Sequence, residues 1–133
     1  MRHIHILAAA LAATGAAAAG VAMAQTRGLP WATPPRVEAR DGEGVYRAVC
    51  QGCHMPDGQG AVGAAAYPAL ANNPRLEAAA YPVTLILQGQ RAMPAVGTLM
   101  DDAQIAAVVT YIRTHWGNDY REPVTEQDVR AAR

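Results

Sequence analysis

Cys50-Gln51-Gly52-Cys53-His54 holds the only two cysteines of this 133-residue chain, three positions apart and followed at once by an imidazole. A structural zinc site needs four soft ligands, and here it would have to recruit His115 or distant carboxylates beyond these three. A disulfide across so short a loop would constrain the unfolded chain very little. A thioredoxin-like redox pair calls for a strand before the motif and an open sheet. The residues before it read otherwise: Asp41 suits the cap of a short helix running from about Gly42 to Cys50.

The spacing fits the attachment of c-type haem, whose two vinyl groups are joined to two thiols. Two intervening residues at a helix end let both sulfurs reach one edge of the ring, and His54 then lies beneath the iron as one axial nitrogen. Gly52 leaves room where backbone must lie near that edge. Candidates for the other axial position are Met55, Met93, Met100 and His115. Met55 adjoins His54 and cannot readily reach the opposite face. Met100 directly precedes a helix cap and reads as an apolar anchor of that turn. His115 falls near a helix C-terminus, where an exposed imidazole is the ordinary explanation. Met93 sits in a loop that Pro94 keeps from becoming helix and Gly97 allows to turn back, so its thioether can be aimed inward.

Outward from the motif, the chain divides into four stretches. Arg2, an apolar run from Ile4 to Ala19 and Ala22-Met23-Ala24 make residues 1–24 a secretory signal, with cleavage before Gln25 and a mature chain of 109 residues. Residues 25–40 carry Pro30, Pro34 and Pro35 without periodicity and read as an extended N-terminal arm. The domain proper spans 41–117, and 118–133 forms a C-terminal tail with a short helix. Within the domain, Pro82 opens a helix through Gln88 that stops at Gly89. Asp101 and Gln104 form a capping box, and Ile105, Val108, Val109, Ile112 and Trp116 follow at helical spacing until Gly117. In the tail, Thr125 with Asp128 makes another box, with Val124 set to staple against Val129. No alternating strand pattern is legible, so the class is all-α with long loops. Short helices built on Ala and Val bury little area each, and a large flat apolar cofactor would complete so thin a core.

Eleven arginines, no lysine and eleven acids balance, so nothing in the charge suggests a phosphate-gripping surface; nucleic acid is not an expected partner. No apolar run reaches the ~18 residues of a spanning helix, so no transmembrane span is expected.

From Gly42 to Gly117 the sequence resembles a class I c-type cytochrome, on the strength of Cys50 to His54 and of Met93-Pro94 about forty residues later. Gly42 and Tyr46 match the positions where that family's first helix crosses its last, and Tyr111 matches the aromatic that receives them. Pro68 resembles the proline whose carbonyl accepts a hydrogen bond from the proximal histidine. The resemblance implies the cytochrome c fold, short helices and long loops wrapped around one haem c, covalent through Cys50 and Cys53 and ligated by His54 and Met93. The run Met93 to Gly97, with Ile105 to Val108 and Tyr111 to Arg113, is similar to bacterial cytochromes that partner periplasmic dehydrogenases. Val96 departs from a common phenylalanine, and the lysine ring by which mitochondrial relatives dock is missing.

With both axial positions filled, the expected function is outer-sphere transfer of single electrons in the periplasm rather than catalysis. The protein would be a soluble carrier or the cytochrome subunit of a dehydrogenase. Its partners would be a periplasmic dehydrogenase, a terminal oxidase or another cytochrome, or both a dehydrogenase and one of these acceptors. Tyr67 or Tyr81 could tune the site, and Arg91 could pair with a propionate. The rival reading is a haem protein with an open iron site, acting as a small-ligand sensor or a peroxidase-like enzyme.

Overall fold

Asp41 starts the first helix of the computed structural model, which describes residues 36–63 and 66–133. Its carboxylate accepts a hydrogen bond of 2.8 Å from the Gly44 N–H. The expected leader over 1–24, the cleavage position before Gln25 and arm residues 25–35 lie outside the described residues. Helix α1 (Gly42–Val45) runs straight into a π-helical turn, Tyr46–Cys50, and then into α2 (Gln51–His54). The sequence places the end of this helix near Cys50; in the structure it continues through His54. One-turn π segments recur at functional sites, and this one carries the chain into the Cys-x-x-Cys-His run.

Two short strands, β1 (Ala61–Val62) and β2 (Ala66–Tyr67), pair antiparallel with Ala61 opposite Tyr67. They correct the expectation of no strand, for a physical reason: two residues per strand are too few to display a period of two. Helix α3 (Ala80–Gln88) begins two residues before Pro82, with no side-chain cap to mark the start. Its end is where the sequence puts it, at Gly89, whose φ of +73° a side-chain-bearing residue rarely adopts. Helix α4 (Asp102–Thr114) is opened by the Asp101–Gln104 box, with both reciprocal hydrogen bonds made. It stops at Thr114 rather than near Gly117. Asn118 Nδ2 donates to the terminal Ile112 carbonyl and the Tyr120 N–H donates to that of Arg113, which replaces the next helical turn. Trp116 therefore leaves the helical register, and its ring packs 4.7 Å from Tyr46 and 5.3 Å from Tyr111. Helix α5 (Glu126–Ala131) starts at the Thr125–Asp128 box, with Val124 and Val129 both buried.

The architecture is that of a cytochrome c fold, mostly helical with one small hairpin. Its core joins Val45 and Tyr46 to Val83 and Ile86 of α3, to Ile105, Val108, Val109 and Ile112 of α4, and to Val129 of α5. Fully burying each such side chain is worth roughly 1.5–3 kcal/mol. α1 crosses α4 where Gly42 lies so close that a Cβ would stand 2.6 Å from Tyr111 Cβ and closer still to the Ala107 carbonyl oxygen. The described end of the arm is tied down rather than loose. Gln104 Nε2 donates to the carbonyls of Val37 and Ala39, each at 2.7 Å.

Candidate functional site

Continuous helix through His54 places Cys50 half-buried and Cys53 exposed, and neither is in a disulfide. Nothing lies within 4 Å of where a Gly52 Cβ would be, so the backbone between the two sulfurs can be approached closely. Burial, with a smaller contribution from Cys53, pushes the Cys50 thiol up to about 12. A thiol–disulfide exchange centre requires the opposite, a thiolate favoured near neutral pH. Among the described residues no group of three or more His, Cys, Asp and Glu side chains is arranged to hold a metal ion.

The His54 ring is oriented from across the hairpin, its Nδ1 lying 2.9 Å from the Pro68 carbonyl oxygen. A carbonyl only accepts, so Nδ1 carries a proton, and in the neutral ring the lone pair is on Nε2. Several hydrogen bonds hold Pro68 at that distance. Gly60 N–H donates to the His54 carbonyl at 3.1 Å, and Leu70 and Ala71 N–H groups both donate to Gly58 O. Asn73 Nδ2 donates to Ala69 O, and the buried Asn118 accepts from the Asn73 N–H while donating to Leu70 O. Nothing in the sequence marks Asn118 as part of this frame, because its partners lie 45 and 48 residues away.

Met93 is half-buried and packs against the core. Its backbone is fixed by a tight turn in which the Gln90 and Met93 N–H groups each donate to the other's carbonyl at 2.9 Å. Met100 is 6% exposed within the core beside the α4 cap, as its sequence position suggests. His115 is exposed, with its ring 3.9 Å from that of Tyr111 and Nδ1 donating to the Tyr111 carbonyl at 2.8 Å. Tyr67 and Tyr81 are half-buried, and Arg91 is exposed in the turn before Met93. Val49, Leu70, Leu87, Val96 and Leu99 are further apolar side chains left partly buried against the core. Two concavities elsewhere include none of the four candidate residues: one runs along Ala79, Val83, Val124 and Asp128, the other along Arg36, Thr98, Met100 and Asp101.

Arg113 is a residue that sequence reasoning leaves without a role. It is 2% exposed, and its guanidinium donates to the backbone carbonyls of Leu76, Glu77 and Glu122. The signal was there, since Arg113 follows Val109 by four positions on the apolar face of α4.

The donor set suits haem c: two unpaired thiols flanking an open glycine, an imidazole whose Nε2 is free for iron, and a half-buried thioether on a fixed turn. The comparisons with known proteins agree. Residues 37–112 match the family described as Cytochrome C oxidase, cbb3-type, subunit III. The chain is also similar to the gluconate 2-dehydrogenase cytochrome c subunit of Pantoea cypripedii, 33% identical over 110 residues that cover 72% of this chain and 24% of the relative. It thus spans about a quarter of that curated relative's length.

Proposed function

This chain belongs to the c-type cytochrome family described as Cytochrome C oxidase, cbb3-type, subunit III, an electron-transfer family built on haem c, and from that premise we propose that it relays single electrons in the periplasm. Its residues 41–117 would hold one haem, attached covalently through Cys50 and Cys53 and ligated by His54 and Met93. When bound, the group supplies a one-electron couple. The chain's own residues set the conditions of that couple. His54 offers Nε2, and its Nδ1–H stays on the Pro68 carbonyl, which orients the ring and raises its basicity. The Met93 thioether, a soft ligand, favours the reduced state. With both ligands supplied by the chain, no position would be left for a substrate, and the protein would act on partners through its surface.

The observation that carries this reading is the 2.9 Å pairing of His54 Nδ1 with Pro68 O, directly beside the two thiols. The relative's name supports a dehydrogenase as electron donor, with a terminal oxidase or another cytochrome downstream. Residues 1–24 act as the export signal, cleaved before Gln25.

Production in a host able to mature exported cytochromes tests the assignment. The purified protein is expected to be red, with one haem per chain and both thiols resistant to alkylation. Its ferric form should show the long-wavelength band of a methionine-sulfur ligand. Met93→Ala removes that band and Met100→Ala leaves it; the reverse pattern reassigns the ligand. A colourless product with two alkylatable thiols overturns the reading.

A further inference from the structure

Directly after His54 the backbone does something that an ordinary L-residue avoids. Met55 has φ 65° and ψ 160°, a region occupied almost wholly by glycine. Such a conformation persists only when its surroundings enforce it. Three hydrogen bonds do so here. The Met55 N–H donates to Gln51 O at 2.9 Å, while the Met55 carbonyl accepts the Gly58 N–H at 3.2 Å and the Tyr46 hydroxyl at 2.7 Å. Of the three, the Tyr46 bond is the one made by a side chain. That side chain is 1% exposed, wedged against Trp116 and Tyr111 with ring centroids 4.7 Å and 5.7 Å away.

The turn matters because of what it aims. By reversing direction at Met55 the chain brings the Gly60 N–H to the His54 carbonyl, and the hairpin then delivers Pro68 O to His54 Nδ1. Relaxing Met55 toward an ordinary conformation would swing its carbonyl away and shift the backbone that carries the imidazole. We infer that Tyr46 is a positioning residue for His54, its hydroxyl locking the strained Met55 turn so that the imidazole keeps its pairing with Pro68. This rests on the reading of His54 as an axial ligand, and it extends that reading to a residue eight positions upstream whose ring packing is only half of its role.

The test is a set of three variants of the haem-loaded protein, Tyr46→Phe, Met55→Gly and the double. Phenylalanine keeps the ring packing and loses only the hydroxyl. Glycine adopts the Met55 conformation without strain, so the turn no longer needs a lock. Two quantities are read: the midpoint potential, and by NMR the exchange of the His54 Nδ1–H with solvent. Tyr46→Phe is expected to change the one-electron equilibrium about threefold or more, less than the tenfold and upward of a direct partner, and to speed Nδ1–H exchange about tenfold. Met55→Gly alone stays close to the parent, and adding it to Tyr46→Phe restores both readouts. An unchanged Tyr46→Phe protein, or a double variant still displaced as far as the single, overturns the lock. Should the parent protein carry no haem, the ligation reading fails by itself, and the exchange of the His54 proton in the same three variants still decides whether Tyr46 holds the turn.

Discussion

A single proton on Nδ1 of His54 decides what that imidazole can do, because the nitrogen that donates to Pro68 is closed to metal and the other is left open. Comparable economy governs Asp101. The Gln104 N–H holds its carboxyl below the usual carboxylate range; burial opposes this, and the Arg40 guanidinium that pairs with the carboxyl supports it. A folded-state value below the unfolded one means stability that is fully present above the ordinary Asp range and is lost as pH falls through the lowered value. Asp128 adds in the same sense through the Thr125 hydroxyl and N–H. Acid unfolding followed by circular dichroism should therefore show a shallower loss of stability below about pH 4 in Asp101→Asn than in the parent. Equal slopes would mean that the cap does not titrate with folding. His54 and its two neighbouring cysteines are legible at this scale because covalent adjacency sets their spacing. Of Arg113 only its place on the apolar face of α4 is legible, because its three carbonyl acceptors come from segments that the local sequence does not place beside it.

At the scale of elements, the crossing of α1 over α4 ties the helix that leads to Cys50 and Cys53 to the core. Gly42→Ala would gain about 1 kcal/mol of helix propensity, yet the new Cβ meets backbone and a Cβ that cannot swing aside. Overpacking of this kind costs roughly 1–3 kcal/mol, and we expect the clash to win, lowering the unfolding midpoint in a thermal melt. A rise would show that the helices can part without loss. Capping boxes make the starts of α4 and α5 readable, since a box is a pattern three residues long. The end of α4 is not readable that way. Apolar spacing carries through to Trp116, but the helix's last carbonyls are taken by Asn118 and Tyr120, and the indole is drawn onto Tyr46.

For the molecule as a whole, the C-terminal segment is part of the structure rather than an appendage. Val129 is fully buried against α4, and Asp102 pairs with both Arg130 and Arg133. These exposed ion pairs contribute little, whereas the buried valine contributes directly. Val129→Ala is expected to cost about 2 kcal/mol in chemical denaturation. A loss within ~0.5 kcal/mol would show that the tail packs without adding stability.

By itself the sequence determined the spacing of Cys50, Cys53 and His54, both capping boxes, the Gly89 stop and the apolar face of α4. All of these arise from interactions between residues a few positions apart, so spacing along the chain is already spacing in space. Pro68 meets His54 as the resemblance implies, but only the tertiary structure decided that Asn118 braces the intervening loop, that Arg113 is buried and that Tyr46 reaches over the strained Met55. Those contacts depend on the path of irregular loops, where neither helical nor strand period constrains which distant residue arrives.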